Sequence, residues 1–155
     1  MKRVSIILVF TALLAACGTK NTTTDKAAEA KSYEFTVNAV GNTMADMTYD
    51  TREIKVMAGS KVVLNLVNQG TDGAMLHNLV IVKQGTEKEV AMEGLNYKET
   101  NYFNPQNTNI IAGTAIANPG ASVKLEFTAP EAGTYTYICT YPGHWMKMQG
   151  VLLVE

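Results

Sequence analysis

An all-β sandwich is the fold this sequence predicts, and three observations predict it. Apolar and polar residues alternate in short runs, Gly, Pro and Asn punctuate those runs, and the runs recur at close spacing. Period-two alternation sends successive side chains to opposite faces, so each run can bury one face against a second sheet.

The elements follow in order. Residues 33–39 alternate, with Phe35 and Val37 on one face, and residues 52–57 continue the pattern through Ile54 and Val56 before Ala58-Gly59-Ser60 turns the chain. The run Lys61–Asn68 points Val62, Leu64 and Leu66 inward and ends at Asn68-Gln69-Gly70. Residues 78–83 carry Leu79, Val80, Ile81 and Val82. Pro119-Gly120 introduces Ser122–Thr128, with Val123, Leu125 and Phe127 on one side, and residues 133–139 and 151–154 close the chain. Residues 84–118 break the rhythm. A structureless loop of that length does not suit a compact domain. Residues 87–92 read as the start of a helix with Thr86 as its cap, so the segment is expected to be a partly helical flap packed on the sandwich. No internal repeat is evident.

Ahead of this domain, Met1-Lys2-Arg3 is followed by an apolar run over residues 4–16, broken only by Ser5 and Thr11. The run is short for a membrane span and has the form of an export signal. It ends Leu14-Ala15-Ala16-Cys17, which resembles a bacterial lipoprotein signal over residues 1–16, with the Cys17 thiol acylated after cleavage. The alternative is an ordinary cleaved signal with Cys17 incidental. Residues 17–32 lack large apolar side chains and form a tether with a weakly helix-friendly stretch at 25–31, leaving one domain over residues 33–155. The formal charge is −1, and losing Lys2 and Arg3 takes it to −3. With no basic stripe, a nucleic-acid partner is excluded. The expectation is a monomer lipid-anchored in the bacterial cell envelope, with its domain in the periplasm or extracellular space.

The chain has two cysteines and two histidines. With Cys17 lipidated, Cys139 is a lone thiol in an oxidising compartment, and a metal would occupy it; a Cys17–Cys139 disulfide is the alternative. Both histidines, His77 and His144, join Cys139 and Met148 in a candidate ligand set. Three of the four lie in Cys-Thr-Tyr-Pro-Gly-His-Trp-Met-Lys-Met. Alternation over 133–139 points Tyr135, Tyr137 and Cys139 to one face. Pro142 and Gly143 turn the chain so that His144 returns near the sulfur, and His77 must come from the start of another strand. One thiolate, two imidazoles and a thioether select copper. Zinc prefers more thiolates, and iron–sulfur clusters need more than this chain has.

The sequence Cys-Thr-Tyr-Pro-Gly-His, with Met148 nine positions after Cys139 and Gln149-Gly150 beyond it, resembles azurin and its relatives the auracyanins. Met75-Leu76-His77-Asn78 resembles that family's first-ligand motif, and the likeness extends over most of residues 33–155. It implies a Greek-key cupredoxin sandwich holding one type 1 copper ion, with His77, Cys139 and His144 equatorial and Met148 axial. It also implies a weak axial contact from the Leu76 carbonyl, at a position where azurin has glycine. Met146 is the other candidate thioether. Asn78 would tie the ligand loops together, or serve only as a strand-start turn residue. The backbone N–H groups of Asn78 and Tyr141 would donate to the sulfur.

The likeness further implies that the edge of His144 reaches the surface within an apolar docking patch of Met75, Tyr141, Pro142, Trp145 and Met146, though Trp145 would equally serve as a packing aromatic. The implied function is electron transport rather than catalysis. Redox proteins are the expected partners: a cytochrome c, a quinol-oxidising complex or a terminal oxidase. A copper storage or delivery protein is the competing reading. Met44, Met47, Met57 and Met92 are not clustered and read as gap-fillers.

Overall fold

A computed structural model of the chain describes residues 31–155. Residues 1–16, Cys17 and most of the expected tether lie outside the described residues. Within them the chain forms nine strands: β1 (Ser32–Val40), β2 (Thr48–Tyr49), β3 (Glu53–Val56), β4 (Lys61–Asn68), β5 (Val80–Lys83), β6 (Ile110–Gly113), β7 (Ser122–Thr128), β8 (Gly133–Ile138) and β9 (Gln149–Val154). One helix, α1 (Glu87–Gly94), and a short 3-10 turn at Lys98–Thr100 separate β5 from β6.

The strands make two sheets, ordered β2-β1-β4-β7 and β3-β9-β8-β5-β6. The β1–β4 and β3–β9 pairs are parallel and the others antiparallel. Alternation decides which face meets which. Val62, Leu64 and Leu66 of β4 face Ile54, Val56, Leu152 and Val154 of the second sheet in one core, while their odd-numbered neighbours stay half-exposed. Burying side chains of this kind contributes roughly 1.5–3 kcal/mol each.

Strand β5 does not alternate, because both its faces are covered. Leu79 and Ile81 enter the main core, whereas Val80 and Val82 point outward. There they meet Val90 and Ala91 of α1, Ile138, and the half-buried Phe103, Ile110 and Trp145. Residues 84–109 are therefore a partly helical flap on the outer face of the second sheet, as the sequence predicts, but the rest of the expected flap, to residue 118, joins the sheet through β6 and the Ala117 bridge.

Details differ from the expectation. Thr86 does precede α1, but its hydroxyl donates to the Lys83 carbonyl at 2.7 Å instead of capping the helix. Strand β5 starts two residues later than expected, because His77 forms an isolated bridge with Ala117. Strands β2 and β6 were not foreseen. Among the described residues, no helix is long and apolar enough to cross a membrane.

Candidate metal centre

The loop leaving β8 is built from its own main chain. The Cys139 N–H donates to the Met148 carbonyl at 3.1 Å, so both ends of the loop are held together. His144 N–H donates to Tyr141 O at 3.0 Å, and the Lys147 and Met148 N–H groups both donate to His144 O at 3.0 Å. Gly143 takes φ +85, a left-handed conformation that glycine adopts without a Cβ clash. Cys139, His144 and Met148 are all buried there.

His77 arrives from the start of the β5 arm. It exchanges two main-chain hydrogen bonds with Ala117, at 3.2 and 2.7 Å. Asn68 secures the same segment: its Nδ2 donates to the Met75 carbonyl at 2.7 Å and to Ala117 O at 2.9 Å. Asn78 joins the two ligand-bearing segments, accepting from Thr140 N–H at 2.8 Å and donating to Thr140 Oγ1 at 2.7 Å. Its Nδ2 also donates to the Asn101 carbonyl at 2.6 Å, which brings the flap into the network.

These contacts gather the donor atoms. Cys139 Sγ lies 3.8 Å from His77 Nδ1 and 3.7 Å from His144 Nδ1, and the two nitrogens are 3.2 Å apart. The centre of that triangle is about 2.1 Å from each corner, the length of an ordinary metal–nitrogen bond. All three residues are at most 1 % exposed, and Met148 is fully buried in the same cluster. Apolar packing surrounds donors that would otherwise seek water. His77 Nε2 is the buried side-chain polar atom without a hydrogen-bond partner among the described residues.

Electrostatics agree with a metal site. Burial lowers both imidazoles from 6.5 to about 4, with the neighbouring His144 contributing at His77, so both stay neutral ligands at neutral pH. Burial pushes the Cys139 thiol up to about 12, against hydrogen bonds from the backbone of Asn78 and Tyr141 and from the Tyr49 hydroxyl. A cation must supply the rest of the stabilisation that a thiolate needs here.

The expected docking residues do not behave alike. Met146 is 68 % exposed and Pro142 is exposed, whereas Trp145 is half-buried against the Val80–Val82 face. Met75 is a correction: it is 7 % exposed, because its segment is drawn inward by Asn68, so it lends the surface almost nothing. The His144 ring is likewise 1 % exposed instead of presenting an open edge, and the half-buried Tyr141 ring covers it at a centroid distance of 4.9 Å. Leu76 is half-buried, its N–H donating to Ala74 O.

Several contributors carry no chemistry that sequence reasoning would seek. Asn68, Thr140 and Asn101 act through amide and main-chain groups, and Tyr49 lies between the runs read as strands. In the sequence Tyr49 stands among Thr48, Asp50 and Thr51, so nothing there marks its hydroxyl.

Comparison with known proteins closes the argument. Residues 35–155 match the family model described as copper binding proteins, plastocyanin/azurin family. The chain is 34 % identical over 159 residues to auracyanin-A of Chloroflexus aurantiacus, covering 99 % of this chain and 97 % of that one. It is 34 % identical over 131 residues to azurin iso-2 of Methylomonas sp., covering 80 % and 98 %. The solved structure of auracyanin A, described as a "blue" copper protein from a green thermophilic photosynthetic bacterium, superposes with a TM-score of 0.71 at 35 % identity, covering 81 % of this chain and all of that one. The fold is thus a cupredoxin sandwich, the cluster of His77, Cys139, His144 and Met148 is typical of a type 1 copper site, and the chain belongs to the plastocyanin/azurin family of copper-binding proteins.

Proposed function

We propose that this chain is an electron carrier that gains and loses one electron at a mononuclear type 1 copper site. The buried triangle of one sulfur and two imidazole nitrogens supports this reading above all else. His77, Cys139 and His144 would hold the copper, with Met148 offering a thioether and the Leu76 carbonyl a weaker further contact. Copper bound there supplies a Cu(I)/Cu(II) couple. The chain supplies the rest. Neutral imidazoles keep their lone pairs free, and the main-chain bonds of residues 139–148 together with the Asn78–Thr140 pair hold the donors in place. A fixed cage that serves both oxidation states keeps ligand movement small when the electron passes. All four donor residues are buried, which favours a carrier over a catalyst.

Location and partners follow from the leader and the surface. The domain is tethered through acylated Cys17 at the cell envelope, facing the periplasm or extracellular space. It meets redox proteins such as a cytochrome c, a quinol-oxidising complex or a terminal oxidase. Docking uses Tyr141, Pro142, Trp145 and Met146, a small apolar area suited to brief encounters. The electron then crosses the Tyr141 rim to reach His144.

Reconstitution tests the reading. Copper added to the metal-free protein should produce an intense blue thiolate-to-copper band, a narrow EPR hyperfine splitting and rapid exchange with cytochrome c. A colourless, tetragonal Cu(II) spectrum would overturn it. Rapid handover of Cu(I) to chelating acceptors with slow electron exchange would instead support storage or delivery.

A further inference from the structure

The His144 ring is 1 % exposed, so an electron leaving it must cross another side chain. On one side the Met44 methyl sits over the neighbouring Gly143, 3.0 Å from the place a Cβ there would take. The half-buried Tyr141 ring lies against the imidazole itself, with centroids 4.9 Å apart and planes inclined at 56°. A third ring continues the series. Tyr102 of the flap meets Tyr141 edge-on at 5.1 Å and 70°, and it too is only half-buried.

The flap backbone is bent to put that ring there. Asn101 and Tyr102 both take left-handed backbone, a strained conformation that gathers at functional sites. Three hydrogen bonds hold it: Tyr102 N–H donates to Tyr97 O at 2.8 Å, Ile116 N–H to Asn101 Oδ1 at 3.1 Å, and Asn78 Nδ2 to the Asn101 carbonyl at 2.6 Å. Asn78 also bonds Thr140, beside the ligand Cys139, so the ring is placed from within the ligand network. Phe103, the next residue, provides a contrast. It fills space against the Val80–Val82 cluster, and its own backbone is not left-handed.

We propose that His144, Tyr141 and Tyr102 form an aromatic path along which the electron leaves, so that its exit lies on the flap and not at a bare imidazole edge. Tunnelling decays less steeply through packed rings than across a gap filled with solvent. Tyr141 and Tyr102 are the medium only. Both keep their electrons and their O–H protons while one electron moves from the reduced copper to an oxidised one-electron acceptor, leaving Cu(II) and the reduced acceptor. The path rests on the type 1 copper reading above.

The test measures intramolecular transfer in the copper-loaded protein, free of any docking step. A ruthenium photo-oxidant is attached at Gln106→His on the flap and, separately, at Thr36→His on the outer face of β1, both exposed positions. From the flap label, Tyr102→Leu should slow transfer severalfold, and Tyr102→Phe should keep the wild-type rate because it keeps the ring. From the β1 label all three rates should agree, at an unchanged reduction potential. The metal-free protein gives a second readout. Nuclear Overhauser contacts should link the Tyr102 ring to Tyr141 and Tyr141 to His144, and a soluble gadolinium chelate should broaden the Tyr102 ring protons while sparing those of His144. An unchanged flap-label rate in Tyr102→Leu, equal slowing from both labels, Tyr102→Phe as slow as Tyr102→Leu, or His144 broadened as much as Tyr102 would each overturn the proposal. If the wild-type protein itself fails to turn blue, the copper reading fails first, while the metal-free ring contacts would stand.

Discussion

The loop over residues 139–148 and the flap over residues 84–109 both cover the metal centre, and they do so by opposite means. The loop supplies three side chains of the ligand cluster and closes on itself through main-chain bonds among Cys139, Tyr141, His144 and Met148. The flap supplies none. It contributes the Asn101 carbonyl, which accepts from Asn78, and the Tyr102 ring, which meets Tyr141 edge-on at 5.1 Å. Asn101 and Tyr102 hold φ of +64 and +62, the only non-glycine residues in left-handed backbone among those described. Such backbone persists only where its surroundings impose it. Here Gly94 lets the flap close, for a Cβ at that position would overlap the Tyr102 carbonyl oxygen. One region acts through the identity of its residues, the other through the path of its backbone.

Acid should separate the two most strongly. Folded His77 and His144 titrate near about 4 against 6.5 for the ordinary imidazole, so the unfolded chain takes up protons first. Metal-free stability should be full above about pH 6.5 and should decline until about pH 4, where the folded imidazoles also protonate. Urea midpoints across that window would show it. The copper-loaded protein should share that slope but keep losing stability below about pH 4, since occupied nitrogens cannot accept protons while the unfolded chain still does. Profiles that level off together near pH 4 with and without copper would mean that the imidazoles are not the ligands.

Gly94→Ala comes next. Forcing the flap away from Tyr102 should cost about 3 kcal/mol in denaturant unfolding, with the blue spectrum of refolded, loaded protein retained. Loss of the spectrum would break the distinction between the regions, because it would make the flap a determinant of ligand geometry. Tyr102→Leu is the smallest effect. Removing the edge-on aromatic contact should cost about 1 kcal/mol and leave the copper spectrum unchanged. Electron exchange should change if Tyr102 shapes the docking rim, a difference that stopped-flow mixing with cytochrome c would read.

The same contrast explains what was legible in the sequence. Strands β4 and β7 have the boundaries their alternation predicts, since β4 buries, and β7 half-buries, one face only. Strand β6 was invisible because all four of its residues are partly buried, leaving no period, and β2 is too short to have one. The ligand residues announced themselves through rare side chains at telling spacing. Asn101, Asn68 and Thr140 did not, because what they offer is an amide, a hydroxyl or a carbonyl that many residues possess. Met75 misled for a related reason. The family likeness implied a surface contact for its side chain, whereas its carbonyl, held by Asn68, governs where it sits.

The depth of Cys139 has a consequence for the molecule before any cargo arrives. Its sulfur is fully enclosed, and its proton is held until about pH 12. A thiol so sheltered is a poor nucleophile, slow to exchange with disulfides or to progress along the sulfenic and sulfinic series. Metal-free chains can therefore meet oxidants with little damage, their vulnerable atom kept fresh by the same enclosure that would later grip the ion.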